Sequence, residues 1–509
     1  PGAGRTRPSP AAGEGVRPHA RRMQDWNVDY INGYFAKAYD GKVRCEVTEK
    51  KGRILVATRK FSQGDVIFEE DPLHIVKAEA SNKAFKVITR LCKRDPDTFF
   101  QDPLWYWAAV STLTPGDVGQ SSYASCISTV GKETQKRVLC LYHEPITKAC
   151  REAEALVKEL KLDIPAVKLS ELIRCWILNC FDHSEEPPGY AAYFGASFMS
   201  HSCHPNAIWH FSELPKRDTF VLHARRDIEA GEEICISYLP EQGLLHAATA
   251  RKSELKTTKS FVCTCERCGP SAAESDLCRG FRCPSCGACA VFHPGPLRGA
   301  ALSTAACGAC GKVVEGTEAK RLLSDEAELA DRLSALDDKV EKRTISRVLN
   351  EQDVQFLLRL VGDSASGSVG PQHWLCDRLW AHLADWYDQK GREEDACRMF
   401  RLRETYQRQA YSSLHGELAW TLESHGDVLI RHAGISPGSK RLAGLDDAAV
   451  KRTARSALQL YDEGLNIMQL MFGTSHSYFF SIEGKRRRLA QYLSTGKWPK
   501  AVKRKFSDA

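Results

Sequence analysis

The 509 residues are 43% hydrophobic and 27% charged, which is ordinary for a globular chain and too apolar for a disordered one. No apolar run reaches the roughly 18–20 residues of a membrane-spanning helix, and Pro1–Arg22 has no apolar core of the kind a secretory signal needs. The net charge of +7, from 71 basic and 64 acidic residues, gives only a weak pull toward nucleic acid or an acidic surface. At roughly 100–200 residues per domain, two to four domains are expected.

Residues 1–25 read as a disordered tail, basic and rich in Pro and Gly. From Lys42 the pattern turns strand-like: Arg53-Ile-Leu-Val-Ala-Thr58, a turn at Phe61-Ser-Gln-Gly-Asp65, then Val66-Ile-Phe68. Residues 82–180 read mainly as helices, at Ala84–Cys92, Ala149–Leu160 and Leu169–Phe181. Strand character returns at Phe220–Ala224 and Glu233–Ser237. A segment rich in Cys, Gly and Pro follows, with too little apolar side chain to fold without a metal. From Thr317 to Leu493 the spacing predicts helix almost throughout, with loops at Ser364–Pro371 and Ala433–Leu445. Leu418–Leu429 and Ser456–Leu465 look like degenerate tetratricopeptide helices. The predicted fold class is α+β: a β-rich core with a helical insertion, zinc-binding segments, and an all-α helical-repeat (TPR-like) C-terminal domain.

Nine of the 20 cysteines lie between Cys263 and Cys310. Paired spacing in a long chain without a signal sequence points to metal in a reducing compartment, not to disulfides. Cys283-Pro-Ser-Cys286 and Cys307-Gly-Ala-Cys310, with 20 residues between, have zinc-ribbon spacing. Cys289 stands near enough in sequence to compete as a ligand. The loop between the two knuckles has only Arg298 as a base, with His293 beside it, which argues against nucleic acid as a partner. Cys263-Thr-Cys265-Glu-Arg-Cys268 supplies three more thiolates and needs a fourth ligand. Spacing leaves Cys203 and Cys278 as alternatives. Lys485–Arg488 reads as a solvated helix face, and Lys500–Lys505 as a nuclear signal or a charged tail.

Ser200-His-Ser-Cys-His-Pro-Asn206, Ala224-Arg-Arg-Asp-Ile-Glu-Ala-Gly-Glu-Glu-Ile-Cys-Ile-Ser-Tyr238 and Phe261-Val-Cys-Thr-Cys-Glu-Arg-Cys268 resemble, in that order, a SET-domain protein lysine methyltransferase with its post-SET zinc loop. Lys51-Gly-Arg-Ile-Leu55 and Phe61–Glu70 resemble the opening SET strands. The insertion and helical C-terminal half are similar to the SET/MYND (SMYD) subfamily. The insertion's Cys92, Cys126, Cys140 and Cys150 include no C-x-x-C pair, so no MYND finger is expected. The architecture also resembles the apical-complex lysine methyltransferases of apicomplexan parasites.

The resemblance implies methyl transfer from S-adenosylmethionine to a lysine of a protein or peptide, histone or cytoskeletal. It assigns Tyr238 to catalysis and to cofactor contact. Further cofactor contacts follow at Lys51, Arg53, Asn179, Ser197, Ser200, His201 and Phe261. It implies two structural Zn2+ sites, at Cys203, Cys263, Cys265 and Cys268 and at Cys283, Cys286, Cys307 and Cys310. The implied domains are 26–258 (SET, insertion at about 82–180), 259–278 (post-SET), 279–316 (ribbon) and 317–509 (helical). The implied location is intracellular, cytoplasmic or nuclear, and cytoskeletal if the apical-complex likeness holds. Homo-oligomerisation is left open. Three positions depart from the family pattern: Ser200 replaces Asn, Ile54 replaces a second Gly, and Lys259 stands where a second Tyr is common. Ser200 and Ile54 motivate a rival reading, a catalytically weak SET-fold scaffold that binds peptides through its helical repeat domain. The ribbon and the net charge suggest a third, a zinc-dependent nucleic-acid binder.

Overall fold

The structure is a computed structural model that describes residues 27–213, 218–269, 277–292, 305–341, 349–361, 368–435 and 446–499. The tail 1–25, His293, Arg298 and Lys500–Lys505 lie outside the described residues, as does most of the loop expected at 433–445. The fold is α+β, in two compact units. One contains the described residues up to Ser200 together with Asn206–Ile236; the other contains His201–Pro205 and the described residues from Ser237 onward. Among the described residues, no helix is long and apolar enough to cross a membrane.

Among the described residues, three small antiparallel sheets lie wholly within the first unit. Val43–Thr48 pairs with Gly52–Ala57, Val43 facing Ala57 and Thr48 facing Gly52. The turn closes because Lys51 N–H donates to Thr48 Oγ1 at 3.2 Å and Gly52 takes φ +70°, which side chains resist. Phe220–Ala224 is the centre of a second sheet, between Val66–Glu70 and Ala207–Phe211. All five of its residues are buried, which explains its unbroken apolar look. Pro188–Ala192 is the centre of the third, between His74–Lys77 and Cys180–Glu185.

The insertion forms helices at Lys83–Arg94, Pro103–Ser111, Lys132–Cys140, Arg151–Leu160 and Ala166–Asn179. The last stops at Asn179, two residues before the predicted end, because Cys180 and Phe181 pair with Ala192 and Ala191. Pro103–Ser111 is apolar on every face and almost wholly buried, with Asp102 capping its start by accepting from Leu104 N–H at 2.8 Å. Trp107 and Trp176 fill this core, and Trp176 Nε1–H donates to Thr112 Oγ1 at 3.3 Å.

The second unit is largely helical after the cysteine-rich segment. Gly316–Glu341 and Glu351–Val361 come first. Trp374–Gln389, Glu393–Ala410, Gly416–His432, Asp447–Phe472 and Ser477–Thr495 then follow, each packed on the next. A histidine caps three of them: Nδ1 of His373, His415 and His476 accepts from the N–H of Leu375, Glu417 and Tyr478, each at 3.2 Å. Buried Asp377 ties neighbours together, accepting from Arg403 at 3.2 Å and Gln407 at 3.0 Å. Gly426 permits close helix approach: a Cβ there would lie 2.7 Å from the buried Tyr461 ring. Lys485, Arg486 and Arg487 are each paired with carboxylates of the helical array, Lys485 with Glu423 and Asp427.

One element departs from the loop expected at Ser364–Pro371, whose residues 364–367 lie outside the described ones, and from the helix expected after it. Val369–His373 is a strand at the edge of a sheet ordered Val291–Phe292, Arg279–Phe281, Val369–His373. Its Pro371 has no N–H to donate and is exposed, which an edge strand tolerates.

Candidate functional site

In the second unit three rings converge. His201 lies 5.4 Å from Tyr238 and 6.0 Å from Phe261, and Tyr238 lies 6.3 Å from Phe261, edge to face. Tyr238 N–H donates to His201 Nδ1 at 2.9 Å. An accepting Nδ1 leaves the ring proton on Nε2, which sits 3.2 Å from Cys203 Sγ and donates toward it. The imidazole thus fixes the Tyr238 backbone with one nitrogen and a sulfur with the other. Ser237 tightens the same turn: its Oγ donates to Leu239 O at 2.8 Å and accepts from Leu239 N–H at 3.0 Å. Tyr238 itself is 39% exposed.

The sulfur belongs to a group of four. Cys203, Cys263, Cys265 and Cys268 Sγ all lie within 4.8 Å of one another. Cys203 is 4.0 Å from Cys263 and 3.5 Å from Cys268. Tetrahedral zinc with bonds of about 2.3 Å sets sulfurs about 3.8 Å apart, so the set fits zinc. Cys278, the other candidate, is buried but outside the four; its sulfur is 3.6 Å from the Arg267 guanidinium.

A second group holds Cys283, Cys286, Cys307 and Cys310. Cys283 is 3.8 Å from Cys310, and Cys286 is 3.7 Å from Cys307. Its two knuckles repeat one hydrogen-bond pattern. Cys283 N–H donates to Ala288 O and Gly287 N–H to Cys283 O. Likewise Cys307 N–H donates to Lys312 O and Gly311 N–H to Cys307 O. Gly287 and Gly311 take φ +74° and +70°, which reserves both positions for glycine. The donor set again fits zinc. Cys289 is outside the four and packs at Gly370, whose Cβ would lie 3.2 Å from its sulfur.

The remaining site candidates lie in the first unit. Lys51 Nζ pairs with Glu233 at 2.7 Å. Arg53 donates to Cys140 O at 2.8 Å and sits 5.0 Å over the Phe198 ring. The Asn179 amide donates to Tyr142 O at 2.8 Å and Cys175 O at 2.7 Å. Ser197 Oγ donates to Tyr193 O at 2.6 Å. Ser200 is the last residue of this unit before the chain continues in the second. The side chains of Arg53, Asn179 and Ser197 are thus bound to their own unit.

Four residues here had no role in the sequence reading. Buried Asn206 donates to Glu232 Oε1 at 2.9 Å and Glu233 O at 2.8 Å, and accepts from Cys235 N–H at 2.8 Å. Glu70 accepts from the N–H groups of Phe194, Gly195 and Ala196 at 2.8, 2.9 and 3.1 Å. Its burial pushes the carboxyl up to about 7, with those three hydrogen bonds opposing the shift. In the second unit, Arg267 donates to Cys203 O and Leu244 O, both at 2.9 Å, and to Ala410 O at 3.1 Å. Buried Arg251 reaches Cys268 Sγ at 3.8 Å and Arg267 O at 2.9 Å. Asn206, Glu70 and Arg267 stand inside the motifs quoted above, which was the available signal.

Residues 52–239 match the SET domain family. That stretch is similar to the SET domain, and the relatives it resembles include lysine methyltransferases named SET5 and SMYD. Histone-lysine N-methyltransferase SET5 of Meyerozyma guilliermondii is 38% identical over 78 residues, 15% of this chain and 16% of that protein. Protein-lysine N-trimethyltransferase SMYD5 of Gallus gallus is 36% identical over 102 residues, 20% and 22% of the two chains. Histone-lysine N-methyltransferase SMYD3 of Homo sapiens is 32% identical over 119 residues, 23% and 26% of the two chains. The match therefore spans about a quarter or less of these relatives.

Proposed function

We propose that this chain is a protein-lysine N-methyltransferase that uses S-adenosylmethionine. The observation that carries the reading is the Tyr238–His201 pair, joined by the 2.9 Å backbone hydrogen bond inside the stretch that matches the SET domain. The relatives' names support the reaction class.

The cofactor, when bound, supplies the electrophilic methyl group. The ring faces of His201, Phe261 and Tyr238, all in the second unit, fit such a group. The proposed contacts are those that the motif resemblance implies: Lys51, Arg53, Asn179, Ser197, Ser200, His201, Phe261 and Tyr238. For Arg53, Asn179 and Ser197 the contacts are assigned to backbone, since their side chains are engaged elsewhere. Tyr238 orients the acceptor amine through its hydroxyl, and the site's apolar rings favour the neutral amine over the ammonium. The zinc sites are structural, because each set supplies four protein ligands and leaves no open position.

The acceptor is a lysine of a histone or of a cytoplasmic or cytoskeletal protein, and the location is intracellular. The domain limits are those given by the motifs, 26–258, 259–278, 279–316 and 317–509. A second reading, a weak SET scaffold that binds peptides, is favoured by Ser200 and Ile54. Calorimetry separates the two. Micromolar binding of S-adenosylmethionine, with radiolabelled methyl transfer to lysine in a lysate, supports the enzyme. Peptide binding with neither cofactor binding nor transfer overturns it.

A further inference from the structure

The two four-cysteine sets differ in exposure. Cys203, Cys263 and Cys268 are buried and Cys265 is half-buried. In the second set Cys283 and Cys307 are buried, but Cys286 and Cys310 are exposed. Each exposed sulfur has a buried partner in reach: Cys310 lies 3.8 Å from Cys283, and Cys286 lies 3.7 Å from Cys307. Among the described residues, a Cβ placed on Gly287 or Gly311, the residues that follow the exposed cysteines, would meet nothing within 4 Å. Oxidation of a thiolate requires contact with the oxidant, so exposure selects between sulfurs of similar chemistry.

We propose that the second set is an oxidation site, at which a peroxide converts the zinc-bound thiolates to disulfides Cys283–Cys310 and Cys286–Cys307 and releases the metal, while the first set keeps its zinc. The exposed thiolate attacks one peroxide oxygen. The O–O bond breaks, an S–O bond forms, and the departing oxygen leaves as water after taking a proton from solvent. The buried partner thiolate then attacks the oxidised sulfur. The S–S bond forms, the S–O bond breaks, and a second water leaves with another solvent proton. Each bridge thus loses two electrons to one peroxide. A disulfide needs its sulfurs at about 2.05 Å, a closure of under 2 Å from the distances seen. A bridged sulfur no longer carries the charge that binds zinc, so Zn2+ departs.

The inference rests on zinc filling both sets and is independent of methyl transfer. The test uses the full zinc-loaded chain, hydrogen peroxide and a chromogenic zinc chelator. Zinc is counted before treatment, and disulfides are mapped by mass spectrometry after it. The expected result is two zincs per chain, of which one is released, with bridges 283–310 and 286–307. Cys203, Cys263, Cys265 and Cys268 stay reduced, and thiol reductant plus zinc restores the second equivalent. Equal loss of both zincs, earlier oxidation of the first set, retention of both zincs under excess peroxide, or one zinc in the untreated chain overturns the proposal. Bridges confined to 283–286 and 307–310 overturn the assigned pairing.

Discussion

Tyr238 hangs from His201. The tyrosine's backbone N–H donates to Nδ1 of the imidazole at 2.9 Å, and the rings stand 5.4 Å apart at 48°. The position of the phenol is therefore set by a histidine 37 residues earlier in the chain, and removing either side chain tests a different thing. Tyr238→Phe keeps the backbone bond and the ring and removes only the hydroxyl. It should lower kcat by roughly 100-fold, the scale of one lost transition-state hydrogen bond, and leave the Kd for S-adenosylmethionine within about threefold. Methyl transfer unchanged in a folded Tyr238→Phe protein removes Tyr238 from catalysis.

His201 has a second attachment, to Cys203 at 3.2 Å. Loss of Cys203 should therefore reach the aromatic trio as well as the metal. Cys203→Ser is expected to drop zinc content from two to one per chain. It should also weaken cofactor binding by roughly three- to tenfold, the equivalent of one lost hydrogen bond of about 0.5–1.5 kcal/mol. Metal analysis and calorimetry on one sample check both. Loss of one zinc with cofactor affinity intact separates the metal from the cofactor site.

Asn206 holds the strand that leads to Tyr238. Its amide makes three hydrogen bonds, to Glu232, Glu233 and Cys235, while only 2% exposed. Asn206→Ala leaves the buried Cys235 N–H without its acceptor. The expected cost is about 1–3 kcal/mol, read as a lower denaturant midpoint. Asn206→Asp should be worse than Asn206→Ser, because it sets a second carboxylate against Glu232. A reversed order contradicts this account of the network.

The cysteine clusters of this chain are legible in its sequence, and the features that are not share a cause. Knuckle spacing marks Cys283, Cys286, Cys307 and Cys310 directly, because a C-x-x-C pair makes its own local turn. The partner of Cys263, Cys265 and Cys268 was not fixed by spacing, since Cys203 is about 60 residues away and Cys278 only ten. The 3.5 and 4.0 Å sulfur distances choose Cys203. Asn206 gives no local signal, because its partners follow it by 26 to 29 residues. Arg267 gives none either, because one of its acceptors, Ala410 O, lies 143 residues on. The edge strand Val369–His373 escaped notice because its partner, Arg279–Phe281, lies far back in the chain, where the cysteines dominate the pattern. Periodicity reports local order, and each of these depends on long-range pairing.

That same strand ends in a buried charge network whose pH behaviour has a definite sign. Glu326 accepts from Arg279 Nε at 2.8 Å and Nη2 at 2.6 Å, and His373 Nε2 lies 3.1 Å from it. Burial pushes the Glu326 carboxyl up, but the hydrogen bonds and charges of Arg279 and His373 outweigh it and hold it at about 2, against 4.5 when free. Its contribution, about 3 kcal/mol at neutral pH, is complete above about 4.5 and is lost as pH falls toward 2. His373 acts in the same direction: burial pushes it below 6.5, so its share is complete above 6.5 and declines below. Glu326→Gln removes the carboxylate and strands a buried Arg279, at a cost of about 3–5 kcal/mol at pH 7. The gap between wild type and variant should narrow steadily from pH 5 to pH 3 in denaturant titrations. Comparing the two cancels acid loss of zinc, which both share. A gap that stays constant across that range shows that Glu326 does not hold its charge in the way the distances require.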